Sequence, residues 1–126
     1  MSDGELRLTT DEYGGQSVWF WCDGCDTHHS YQIKNADPAK VPDTVADRWR
    51  KMYTQGPLWT FNGDLKKPTF KPSLLCNGST PVEEVRKRGA HRCHIFVTDG
   101  MVQYLSDCTH HLAGKTERTK LRHGAT

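Results

Sequence analysis

Arg92-Cys93-His94-Ile95-Phe96-Val97-Thr98-Asp99-Gly100-Met101-Val102-Gln103-Tyr104-Leu105 is the stretch that decides the fold. Two runs rich in β-branched and aromatic residues flank Asp99-Gly100, a pair suited to a two-residue type I′ turn, whose central positions both need positive φ. The turn fixes the register. Val97 then faces Val102, Ile95 faces Tyr104 and Cys93 faces Ser106 on one side, with Phe96/Gln103 and His94/Leu105 on the other. If the strand continues, the period of two puts Cys108 and His110 on the face of Cys93, while His94 points away unless a bulge intervenes.

Toward the N-terminus, Val18-Trp19-Phe20-Trp21 reads as a strand that runs into Cys22-Asp23-Gly24-Cys25, and Ser30-Tyr31-Gln32-Ile33 returns to pair with it. Both cysteines then sit at a hairpin tip, and Gly24 eases the turn that points two sulfurs at one tetrahedral ion. One such knuckle supplies half of a structural zinc shell. The other donors come from Cys93, His94, Cys108 and His110, with His111 beside them. Either Cys22, Cys25, Cys93 and His110 close the shell, or His94 joins and one thiolate is left aside; all six are carried as candidate ligands, with zinc as the cofactor. A redox CxxC would open a helix within a βαβ unit, and this one lies on a hairpin. Cys76 reads as a buried thiol and His28, His29, His91 and His123 as surface residues. The Trp and Phe side chains read as core.

Elsewhere, Asp43 is placed to cap a helix with Val45, Trp49 and Met52 on one face. Trp59-Thr60-Phe61 alternates like a strand. Pro68 and Pro72 bracket an extended segment and assign it to a sheet edge. Thr80, Pro81 and Glu83 occupy N-cap, N1 and N3 of a short helix that stops at Gly89. The expected fold is α+β, mainly β: small zinc-stabilised antiparallel β-hairpins with one or two short helices. Residues 1–114 are expected to form a single zinc-binding domain, and 115–126 a polar, flexible tail.

Seventeen basic against 15 acidic side chains leave a net charge of +2, which gives no electrostatic case for nucleic acid or a membrane surface. The chain shows neither a run of roughly 20 apolar residues nor a signal-peptide core, so the expected location is the cytoplasm. Five cysteines are an odd number for a disulfide framework, which leaves metal binding or burial as their use.

Three blocks carry a resemblance: Trp59-x-Phe61-Asn62-Gly63-Asp64-Leu65-x-Lys67-Pro68-Thr69-Phe70-x-Pro72-Ser73, Arg92-Cys93-His94-x-Phe96-Val97-Thr98-Asp99-Gly100, and Leu105-x-Asp107-Cys108-Thr109-His110-x-Leu112-Ala113-Gly114-x-Thr116. With Cys22 and Cys25, these resemble a domain-of-unknown-function family of small phage and prophage proteins, often mislabelled ammonia monooxygenase. The oxygenase label finds no transmembrane helix or copper site here. The resemblance implies a phage origin, host-cell cytoplasm as the location, and a zinc site built from Cys22, Cys25 and the Cys93–His110 block. Relatives lie beside bacterial ubiquitin-like conjugation genes, which implies a metallopeptidase-like role. Lys66 departs from the family, where an acidic residue is common, and so does Glu117-Arg118 after Thr116.

Two functions compete on this reading, and the sequence leaves open whether the chain is an enzyme. In the first, zinc is structural and the chain is an accessory or counter-defence protein that binds a host or phage protein. In the second, it is a peptidase-like zinc-dependent hydrolase in which Asp107, or failing it Asp64, acts as general base on a metal-bound water. A nucleic-acid role, resting on Arg86-Lys87-Arg88 and the basic tail from Lys115 to Arg122, comes third.

Overall fold

A computed structural model describes residues 5–78 and 80–121. Two antiparallel sheets make up the fold. The first joins β1 (Arg7–Thr10), β2 (Gln16–Cys22) and β3 (Thr27–Lys34) in that order. In the second, β4 (Thr60–Phe61), β5 (Phe70–Cys76), β6 (Cys93–Thr98), β7 (Met101–Tyr104) and β8 (Thr116–Arg118) follow one another. Helices α1 (Asp47–Gln55) and α2 (Val82–Lys87) lie in the connections. The architecture is mainly β with two short helices, as the hairpin signals predict.

The β6–β7 hairpin takes the register set by its turn: Ile95 pairs with Tyr104, Phe96 with Gln103 and Val97 with Val102. Asp99 and Gly100 have φ of 48° and 78°, the positive values a type I′ turn demands. Ile95, Val97, Val102 and Tyr104 therefore point inward and are buried, together with Val18, Phe20 and Tyr31 of the first sheet. The sheets meet through stacked rings: Tyr31 lies 4.0 Å from Phe70 at an interplanar angle of 4°, and Phe61 stacks on the same ring at 5.0 Å. Each such pair contributes about 0.5–1.5 kcal/mol beyond its buried area.

Five expectations are corrected. The segment with Pro68 and Pro72 is not an edge: β5 lies between β4 and β6. Its register shifts between Phe70 and Leu74, and Pro72 falls in that irregular stretch, where a residue without an N–H is tolerated. Helix α1 starts at Asp47 after Ala46, beyond Asp43, and leaves Trp49 and Met52 44% and 45% exposed. Its packed face is Arg50, Tyr53 and Thr54; the Arg50 guanidinium donates to the carbonyls of Val41 and Pro42, so a polar side chain takes the inward position. Trp19 and Phe96 are likewise 38% and 43% exposed instead of core. The stretch expected as a loose tail contributes β8, and Lys120 O accepts from Trp21 N; residues 122–126, including His123, lie outside the described residues. In α2 the N-cap is Pro81, one residue past the expected Thr80, and Gly89 at φ 70° ends it as expected.

Candidate active site and metal centre

Because successive residues of β6 face opposite ways, the strand serves two clusters at once. Cys93 points to the core, where it meets the knuckle. Its Sγ lies 3.4 Å from His110 Nε2, and Cys22, Cys25, Cys93 and His110 form a group whose donor atoms all lie within 4.8 Å of one another. Donors around one tetrahedral zinc lie about 3.8 Å apart when each bond is about 2.3 Å. The cluster could hold a metal ion with little rearrangement, and it is one of the two sets left open above.

Three local features shape it. The Cys25 N–H donates to Cys22 Sγ at 3.3 Å, closing the knuckle turn. The Leu112 N–H donates to His110 Nδ1 at 3.2 Å, so the neutral ring carries its proton on Nε2 beside Cys93 Sγ; a metal at Nε2 would move that proton to Nδ1 and break this bond. Gly24 is buried against the ring: a Cβ there would stand 2.3 Å from His110 Nδ1. The glycine is thus required by the approach of His110, a reason additional to the turn.

Electrostatics suit a cation. Hydrogen bonds from Cys25 and then Cys93 pull the Cys22 thiol far down, while contact with Cys22 and then Cys25 pushes Cys93 up. Neighbouring sulfurs compete for ionisation, a repulsion that a divalent cation relieves. Burial lowers His110, which favours the neutral imidazole that a metal ion requires. His29, expected at the surface, instead turns inward with a buried Nε2, and its Nδ1 lies 3.6 Å from Cys76 Sγ. Burial opposes its charge, but contacts with Cys22, Cys25 and Cys76 win and push it up to about 12. Cys76 is correspondingly half-buried beside the cluster and outside the four-donor group.

On the opposite face of β6 stands His94, away from the metal cluster. Its Nε2 lies 3.1 Å from Ser73 Oγ on β5, and its Nδ1 lies 3.0 and 3.2 Å from the Asp107 carboxylate oxygens. The carboxylate only accepts, which assigns the N–H to Nδ1 and leaves Nε2 to accept from the Ser73 hydroxyl. The side chains of His94 and Asp107 are 25% and 50% exposed, so the row opens to solvent on the outer sheet face. A hydroxyl, an imidazole and a carboxylate in this order are the parts of an activated serine nucleophile. Cys108 sits between the clusters: its Sγ contacts the His94 backbone at 3.2 Å (N) and 3.4 Å (O), and it is outside the four-donor group.

The six sequence candidates are thus divided. Cys22, Cys25, Cys93 and His110 come together, His94 joins Ser73 and Asp107, and Cys108 packs against the His94 backbone. Asp107 lies in the serine row and not against the metal donors, and Asp64 accepts from the N–H groups of Lys66 and Lys67 in a surface turn. Ser73 had no assigned role in the sequence. No G-x-S-x-G motif surrounds it, and the available signal was that His94 points away from Cys93 toward the strand carrying Ser73.

Among the described residues no helix is long and apolar enough to cross a membrane. No curated protein and no solved structure matches the chain. A family model described as bacterial ubiquitination-like system serine protease (BubE) matches residues 1–105, a span that includes Ser73 and His94 and ends just before Asp107. The chain belongs to this family of bacterial ubiquitination-like system serine proteases.

Proposed function

We propose that the chain is a serine hydrolase acting on an acyl bond within a bacterial ubiquitination-like system, with Ser73 as nucleophile, His94 as general base and acid, and Asp107 orienting the imidazole. The hydrogen-bonded row of Ser73, His94 and Asp107 carries this reading, and the family description supports it. As Ser73 Oγ attacks the carbonyl carbon, its proton passes to His94 Nε2 and an acyl–oxygen bond forms. Asp107 stabilises the imidazolium through Nδ1–H. His94 then gives the proton to the leaving amine or alkoxide. Water, deprotonated by the same nitrogen, hydrolyses the acyl-serine and restores the hydroxyl.

Zinc at Cys22, Cys25, Cys93 and His110 supplies folding stability in this account. Four protein donors leave no open position for water, and the cluster lies on the core face of β6. The peptidase class anticipated from the sequence is retained, with a serine replacing the metal-bound water as nucleophile. The structural zinc of the accessory reading is kept, and the row of Ser73, His94 and Asp107 is what favours a hydrolase over it.

The test is hydrolysis of a fusion between a ubiquitin-like modifier of such a system and a reporter, comparing the zinc-loaded wild type with Ser73→Ala and Asp64→Asn. The reading predicts that Ser73→Ala loses cleavage while retaining zinc and secondary structure, and that Asp64→Asn cleaves normally. Cleavage that persists in Ser73→Ala would rule it out.

A further inference from the structure

Cys108 had been a candidate zinc ligand; its thiol touches Cys93 of the donor group but lies outside that group, and it hydrogen-bonds the backbone of His94. β7 ends at Tyr104, and the chain then turns away, with Cys108 N donating to Leu105 O at 3.1 Å. Leu105 N still donates to His94 O at 2.9 Å, but the regular ladder has stopped at this end of β6. The buried Cys108 side chain takes over there. Its Sγ accepts from the His94 N–H at 3.2 Å and its S–H donates to the His94 carbonyl at 3.4 Å, both within sulfur hydrogen-bond range. The preceding residue, Asp107, holds the His94 ring at 3.0 Å. One dipeptide therefore grips His94 at backbone and ring, between Cys93 and His110 of the donor group.

We infer that Cys108 is a positioning residue for His94: its thiol fastens the His94 backbone where β7 ends, holding Nε2 in line with Ser73, and it is not a metal ligand. This rests on the serine reading above for its catalytic consequence, and on geometry alone for its structural part. A misplacement near 1 Å costs roughly 100-fold in reactions of this kind. Serine keeps a group that both donates and accepts; alanine and valine do not.

The experiment compares the wild type with Cys108→Ser, Cys108→Ala and Cys108→Val, the valine filling the volume if the alanine cavity unfolds the chain. Each is cobalt-loaded to read thiolate-to-metal charge transfer, treated with a fluorophosphonate to read the labelling rate of Ser73, and examined by proton NMR for the downfield His94 Nδ1–H. The expected result has three parts: an unchanged charge-transfer band in every variant, labelling within about 3-fold of wild type for Cys108→Ser, and labelling roughly 10–100-fold slower for Cys108→Ala or Cys108→Val. The Nδ1–H resonance should persist in Cys108→Ser and broaden or shift in the other two. Loss of about a quarter to a third of the charge-transfer intensity would make Cys108 a ligand and overturn the inference. So would alanine and valine variants that label, and resonate, like the wild type, or a serine variant as slow as alanine. If wild-type Ser73 does not label at all, the serine reading fails, and the resonance alone decides whether Cys108 positions His94.

Discussion

Substituting Gly24 by alanine tests the metal centre through a residue that donates nothing to it. The backbone of Gly24 lies outside the left-handed region, so alanine brings no conformational strain and acts only through its new methyl group. That carbon would stand 2.3, 2.4 and 2.5 Å from His110 Nδ1, Cε1 and Cγ, whereas ordinary contact begins near 3.4 Å. The imidazole must retreat by roughly 1 Å, several times the 0.2 Å or so that a metal–ligand bond tolerates. Disturbing the support of a ligand typically costs 10–100-fold in affinity, and displacing the ligand itself belongs at or beyond the upper end, about 2.7 kcal/mol for 100-fold. The assay is competition for zinc with a chromophoric chelator, using His110→Ala as the benchmark for complete loss of that donor. Gly24→Ala should fall near the benchmark. An affinity within about 3-fold of wild type would refute the placement of His110 in the shell.

Asp107→Asn removes the acceptor that fixes the His94 tautomer and should lower kcat on the order of 10³–10⁴-fold with little change in KM, as steady-state kinetics would show. Gly100→Ala meets both a φ of 78° and a Cβ contact of 3.1 Å with Lys67 Cα; urea denaturation should show a loss of about 1–2 kcal/mol with unchanged metal content. Phe96→Ser, at an exposed site on the outer sheet face, should change the melting temperature by no more than a degree or two. Chelating the metal should lower that temperature steeply, because the cluster ties the β2–β3 tip to β6 and the loop beyond β7.

Legibility in the sequence followed the range of each signal. The β6–β7 register was readable because a two-residue turn sets it locally. The same alternation sends Cys93 and His94 to opposite faces, and it is the basis of both clusters. The knuckle was readable from spacing, and its partners only as a set, since the path from Tyr104 to His110 leaves the strand and the period of two no longer applies. Ser73 was hidden because its partners lie on β6 and beyond β7, so no short motif joins them. The inward face of α1 was misread because Arg50 satisfies its charge on two carbonyls and so takes a place that pattern reserves for an apolar residue. β8 escaped notice because Thr116-Glu117-Arg118 is polar and is held by pairing with β7, as BubE-family membership over residues 1–105 could not indicate either.

Whether Ser73 is the residue that takes up an acyl-type electrophile is read directly by mass spectrometry of the zinc-loaded protein after fluorophosphonate treatment. One adduct per chain, mapped to Ser73 and lost in Ser73→Ala and His94→Ala while zinc stays bound, is the predicted result. An unmodified Ser73 in protein that hydrolyses its substrate, with activity that vanishes and returns with the metal alone, would contradict it.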